Sequence, residues 1–275
     1  MFPKLPLDHW VESFVDWLSA NLSGVFDFLS FVINGLVESF STALHAIPAL
    51  LLVAIFAAIA FKLGKWRMAA LTVIGLLLIV NLGFWNETMD TLALVLSSAF
   101  ISVVFGIPLG ILCSRSKAAA QTVTPVLDFM QTMPAFVYLI PAVMFFGLGV
   151  VPGVIASVIF AVPPTIRLTH LGIRQVPSEL GEAADAFGST PAQKLLKVEL
   201  PLAWPTIMAG INQTIMLSLS MVVIASMIGA QGVGASVYRA VTQLKIGEGF
   251  EAGLAVVIVA IILDRFTQRM MKSKR

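Results

Sequence analysis

Residues 170–205 read HLGIRQVPSELGEAADAFGSTPAQKLLKVELPLAWP, the longest stretch after residue 46 without an apolar run of membrane length. The stretch is nevertheless patterned for helix. Pro177-Ser178 supplies a helix start, with Ser178 as a good N-cap. Leu180, Ala183, Ala184 and Phe187 then share one face. Glu179, Glu182 and Asp185 fall largely on the other, the first two near the positive end of the helix dipole. Gly188 ends this helix as a residue that tolerates the left-handed conformation. Thr190, Pro191, Ala192 and Gln193 open a second helix, a T-x-x-Q capping box with proline at the first helical position. Two short capped helices joined at a glycine are therefore expected within 176–200. Patterning alone leaves two readings open, a surface hairpin or a docking element for a soluble partner.

On both sides of this segment the chain is apolar. Of its 275 residues 58% are hydrophobic and 12% charged, with a mean hydropathy of +0.95. That is too little polar surface to cover a soluble core. Runs of about 17–22 apolar residues separated by short charged clusters can cross the hydrocarbon layer as helices. The expected fold class is an all-α, polytopic membrane helix bundle. About seven spans are predicted, near 46–62, 66–83, 91–112, 130–147, 152–168, 205–229 and 251–268. A single cysteine, Cys113, excludes an internal disulfide and a Cys-based metal site, and is expected as a small buried apolar residue. No cleavable signal peptide is expected ahead of the spans.

The net charge of +2 says less than the placement of the charges. If the turn at 62–67 is cytoplasmic, alternation puts the 113–129 and 169–204 segments and the C-terminal tail on the same side. That side gathers Lys62, Lys65, Arg67, Arg115, Lys117, Arg167, Arg174, Lys194, Lys197, Arg265, Arg269, Lys272, Lys274 and Arg275. Only Lys4, Arg239 and Lys245 remain opposite. The bias predicts an external N-terminus and a cytoplasmic C-terminus in a multi-pass protein of the cytoplasmic membrane.

Residues 1–45 are not a simple span. Glu12, Asp16, Ser19, Ser23, Asp27, Ser30, Asn34, Glu38 and Ser41 recur at helical steps, and Trp10, Phe14, Leu18, Leu22, Phe26, Leu29, Ile33 and Val37 recur between them. An amphipathic helical region results, with Gly24 and Gly35 as expected bends. It is expected to lie in the outer interface or along the bundle. The alternative is a span over 18–37, which would move the N-terminus inside.

Glu182-Ala183-Ala184, then Gly188, then Leu200-Pro201 resemble the EAA signature of ABC-importer permeases. The resemblance implies that Glu182, Ala183, Ala184, Phe187, Gly188, Leu200 and Pro201 build a coupling helix that sits in a cleft on an ATPase subunit. It also implies a type-1 permease domain over 88–270 with its coupling loop at 176–200, preceded by two accessory spans over 46–87 and followed by a basic tail, 271–275. Further segments are similar to permeases for glycine betaine, proline betaine and related osmoprotectants: Gln131-Thr132-Met133-Pro134-Ala135-Phe136-Val137-Tyr138, Pro163-Pro164-Thr165-Ile166-Arg167, Gly210-Ile211-Asn212-Gln213 and Gly249-Phe250-Glu251-Ala252-Gly253. This similarity implies a prokaryotic inner-membrane importer with a second permease copy, an ATPase carrying ATP and Mg, and an external binding protein. With no fused binding domain before residue 275, that domain is expected to be a separate protein. Lipid is the remaining partner, and no nucleic acid is expected.

No G-x-x-x-x-G-K-[ST] occurs, since Gly64-Lys65 is followed by Trp66, and neither H-E-x-x-H nor G-x-S-x-G is present. His9, His45 and His170 are far apart. The chain is therefore expected to hold no cofactor and to catalyse no reaction itself. A transport path needs polar or helix-breaking residues within spans. Met133, Phe136, Tyr138, Asn212, Gln213 and Ser220 are the candidates, with Pro134 and Pro141 as kinks. Phe136, Tyr138, Phe145 and Phe146 offer aromatic faces to a quaternary ammonium. For each, packing or helix-to-helix hydrogen bonding is the competing reading. Asp128 is either an acid within a span or an interfacial helix start, and Gly106-x-x-x-Gly110 points to a close helix contact. Two rivals remain: an ion-driven secondary transporter, which should carry paired ionisable residues at mid-membrane, and a scaffold or receptor with no path.

Overall fold

A computed structural model describes residues 6–272, so Lys4 and residues 273–275 of the expected tail lie outside it. Among the described residues the secondary structure is entirely helical. The elements are α1 (Leu7–His45), α2 (Ala49–Asn81), α3 (Trp85–Arg115), α4 (Lys117–Thr132), α5 (Ala135–Phe146) and α6 (Val150–Arg174). They are followed by α7 (Ser178–Ala186), α8 (Pro191–Lys194), a π-turn (Leu195–Glu199), α9 (Leu200–Ser226), α10 (Val233–Thr242) and α11 (Ile246–Lys272). Six helices are long and apolar enough to cross a membrane, and α4 with α5 forms a further, broken candidate.

The bundle is organised around α6, which packs between α3 and α9. Small residues make the approach possible. A Cβ on Gly106 would stand 2.8 Å from Thr165 Cγ2, and one on Gly110 would stand 2.5 Å from Thr169 Cβ. The G-x-x-x-G spacing is therefore a close contact, between α3 and α6. On the other side Gly210 of α9 lies against the backbone of Pro164 and Thr165. Helices this close can share polar groups that lipid would leave unsatisfied. Thr214 donates to the Ala161 carbonyl at 2.7 Å and lies 2.7 Å from the Thr165 hydroxyl.

One unbroken span of 33 residues would be about 50 Å long at 1.5 Å per residue, longer than a bilayer core is thick. The tertiary contacts show that α2 turns back instead. Phe56 and Leu76 line one small cavity together with Ile262 and Phe266 of α11. His45, just before α2, lies 3.0 Å from Asp90, in the second turn of α3 just after it. Both ends of α2 thus sit at one end of the bundle. The reversal is at Lys65, which leaves the helical region with φ 61° and ψ −161°. The two arms on either side of Lys65 coincide with the apolar runs near 46–62 and 66–83.

The span expected at 130–147, with Pro134 as a kink, is broken there into two helices. α4 and α5 meet at a 100° bend. Pro134 has no N–H and drives the residue before it out of the α region; Met133 is extended, with φ −69° and ψ 136°. The 113–129 segment, expected to lie between spans, is helical from Lys117 up to that bend. Asp128 accordingly stands inside α4 rather than at a helix start, paired with Arg167 at 2.6 Å.

Helix α1 is held by contacts at one end of the bundle. Ser41 and His45 reach Asp90 near the start of α3. Phe26 stacks on Phe145 with centroids 4.5 Å apart and meets Phe146 edge-on. Both contact regions belong to the same end of the bundle, where α5 passes into α6, so α1 runs across helix ends rather than between the two ends. The break in α1 falls at Leu22 (φ −118°, ψ 16°), not at Gly24 or Gly35. Cys113 is buried and free, as expected.

Candidate functional site

The segment at 176–200 closes on itself through local chemistry. α7 starts at Ser178, so Pro177 takes the N-cap position and Ser178 does not cap. The pyrrolidine ring holds Pro177 extended (φ −54°, ψ 132°), which moves the boundary back one residue. At the other end Gly188 has φ 75°. Its N–H donates to Asp185 O at 2.9 Å while the Ser189 N–H donates to Ala184 O at 3.0 Å, the two bonds of a Schellman cap. The capping box is complete: Gln193 N–H donates to Thr190 Oγ1 at 3.3 Å, and Thr190 N–H to Gln193 Oε1 at 2.9 Å. Lys194 Nζ reaches back to Asp185 Oδ2 at 2.6 Å, tying α8 to α7.

This rigid pair exposes its apolar residues. No residue of α7 is buried, Leu180 is 44% exposed and Phe187 91%. Leu180 and Phe187, seven positions apart, form an exposed apolar face that lies outside the candidate spans. Glu182 and Ala183 are exposed beside it, and Ala184 is half-buried. Leu200-Pro201 begins α9 directly after the π-turn. Sequence reading missed what anchors the loop below. Glu199, 8% exposed, accepts a hydrogen bond from Arg115 at the end of α3. Their separation of 84 positions left no local signal.

The six path candidates divide. Tyr138 is buried among Leu139, Ala156 and Met221, and its hydroxyl donates to the Met130 carbonyl, bracing the bend between α4 and α5. Asn212 holds α9 to α11: its Nδ2 donates to Asp264 Oδ1 at 3.0 Å and its Oδ1 accepts from Thr267. Both make packing or helix-to-helix contacts in this structure. Gln213 and Ser220, two turns apart, lie on an uncovered stripe of α9 that continues to Met227. Phe136 is 52% exposed, and Met133 is half-buried at the bend. Phe145 and Phe146 are occupied by Phe26. Among the described residues no group of His, Cys, Asp and Glu is arranged to hold a metal.

Residues 106–272, which hold the whole α6–loop–α9 unit, match the family of binding-protein-dependent transport system inner membrane components. The chain belongs to that family. Relatives of this permease match it along almost its full length. It is 56% identical to the glycine betaine transport system permease protein OpuAB of Bacillus subtilis, covering 99% of this chain and 97% of that one. It is 55% identical to the glycine betaine/carnitine transport permease protein GbuB of Listeria monocytogenes, covering 99% and 98%. It is 48% identical to the glycine betaine/proline betaine permease ProW of Escherichia coli, covering 98% of this chain and 77% of that one. Among solved structures, the fold of the permease is shared with a chain of the inward-facing MetNI methionine ABC transporter. The TM-score is 0.63 at 21% identity, over 70% of this chain and 96% of that one.

Proposed function

We propose that this permease carries glycine betaine, or a related quaternary-ammonium osmoprotectant, inward across the cytoplasmic membrane. It would work as one of two copies, with a pair of ATPase subunits beneath and a substrate-binding protein outside. The capped pair α7–α8, with its uncovered Leu180 and Phe187, carries the ATPase reading. The near full-length identity to betaine permeases supports the substrate class. The end of the bundle with α7, α8 and the Lys65 turn faces the cytoplasm in this reading, in line with the clustering of basic residues there. ATP binding closes the ATPase pair and draws the two coupling helices together, which favours the outward-open arrangement of the bundle; hydrolysis releases it. The ion pair between α4 and α6, Asp128–Arg167, has both partners exposed (60% and 39%), unlike the buried pair that ion-driven transport would favour. Asp264, the acid on the α9–α11 contact, is bonded to Asn212 and Gln268.

The test is uptake of labelled glycine betaine into vesicles holding the permease and its ATPase, with the binding protein added. Accumulation should require ATP and the binding protein. Accumulation driven by an ion gradient without ATP would refute the reading.

A further inference from the structure

The root of the loop is built differently from the loop itself. Pro201 has no N–H, so the carbonyl four residues before it, on Lys197, loses its α-helical donor. The chain widens into a π-turn over Leu195–Glu199, where the Leu200 N–H donates to Leu195 O, five residues back. Such turns interrupt the regular ladder and are points where a helical run can change its pitch. Above the turn, α7–α8 is a stiff package held by the Schellman cap, the capping box and Lys194–Asp185. Below it, α9 continues for 27 residues.

The only covalent link from the package to this side of the bundle's second half is therefore through a compliant turn. Glu199 closes that turn, and its carboxylate is nine-tenths buried against Arg115. Arg115 is the last residue of α3, where a cation also meets the free carbonyls of the helix end. α3 in turn runs the length of the bundle. At its far end Thr91 Oγ1 accepts the Val233 N–H at 2.9 Å and Asp90 holds α1.

We propose that Arg115 and Glu199 are positioning residues for transport: their ion pair pins the π-turn to α3, so that displacement of the coupling helices moves α3 and α9 together. Without the pair the turn absorbs the displacement and α3 stays behind. ATP hydrolysis then continues with little solute moved. The inference rests on the importer reading above.

The experiment uses the whole complex in vesicles and measures solute taken up per ATP hydrolysed. Arg115→Gln and Glu199→Gln should each lower that ratio about tenfold, the size of an ordinary coupling free energy, while ATP hydrolysis stays near wild type. The reversed pair, Arg115→Glu with Glu199→Arg, should restore most of it. If the single variants fail to assemble, the double variant Arg115→Gln/Glu199→Gln leaves no unpaired buried charge and should show the same low ratio. A wild-type ratio in any assembled variant lacking the pair overturns the proposal. So does an equal fall of uptake and hydrolysis, which is the mark of a merely structural pair. Failure of the wild-type complex to use ATP at all would instead sink the importer reading.

Discussion

Gly188 is the residue on which the loop at 176–200 turns. Its φ of 75° lies where a β-branched side chain is strained, although nothing stands within 4 Å of an added Cβ. Gly188→Val should therefore cost about 1–3 kcal/mol of backbone strain and splay α7 from α8. The permease should still insert, but pull-down should recover less ATPase and uptake should fall. Gly188→Asn should be milder, because asparagine tolerates this region. Glu182→Lys, which leaves the cap intact, should lower uptake less than Gly188→Val. Normal uptake in both Gly188→Val and Glu182→Lys would remove this loop from the coupling role. Asn212 makes a different case. With both ends of its amide bonded across α9–α11, Asn212→Leu should lower the detergent Tm, with a loss of roughly 1 kcal/mol. The KM for uptake should not move; a changed KM at unchanged Tm would return Asn212 to the path.

At the scale of elements, the two arms of α2, the loop root and the C-terminal part of α11 meet at one end of the bundle. The α2–α3 connection and α10 are at the other. In a Cys113→Ala background, Lys62→Cys and Ala192→Cys should resist an impermeant thiol reagent added outside intact cells. Asn86→Cys and Gln243→Cys should react. Labelling of Ala192→Cys from outside would overturn the orientation. Of these elements, the loop was the most legible, because its signals act within four residues: Pro177, Gly188 and the Thr190–Gln193 box each satisfy backbone groups nearby. The turn at Lys65 was legible from charge. The 100° direction of the α4–α5 bend was not, since Pro134 says only that the helix must break, and packing of Tyr138 against Met221 decides where the chain goes next.

For the whole molecule the question is where substrate affinity resides. Tight recognition of a quaternary ammonium needs several aromatic faces together. Here Phe145 and Phe146 are taken by Phe26, Tyr138 is buried in packing, and Phe136 stands apart. The purified permease should therefore bind glycine betaine only in the millimolar range or weaker, roughly 4 kcal/mol. Calorimetry without the binding protein measures this directly. Micromolar affinity abolished by Phe136→Ala or Tyr138→Ala would show a selectivity site in this chain.

Apolar run lengths, the placement of lysines and arginines, and the caps at 177–193 were enough to establish an all-helical membrane bundle with a helical loop at 176–200. These are local or compositional signals: water, lipid and the backbone's own hydrogen bonds read them wherever the chain goes. Tertiary structure decided which polar groups are free. Asn212 and Asp264 are 52 positions apart, and Arg115 and Glu199 are 84. Nothing in their neighbourhoods marks them as partners until α9 packs against α11 and α6 brings α3 and α9 together. The same holds for α1: its amphipathic stripe favours an interface but does not by itself say which surfaces the helix meets. Only the contacts of Phe26 with α5 and of His45 with Asp90 lay it across the helix ends, because a helix settles where both of its faces find matching surfaces.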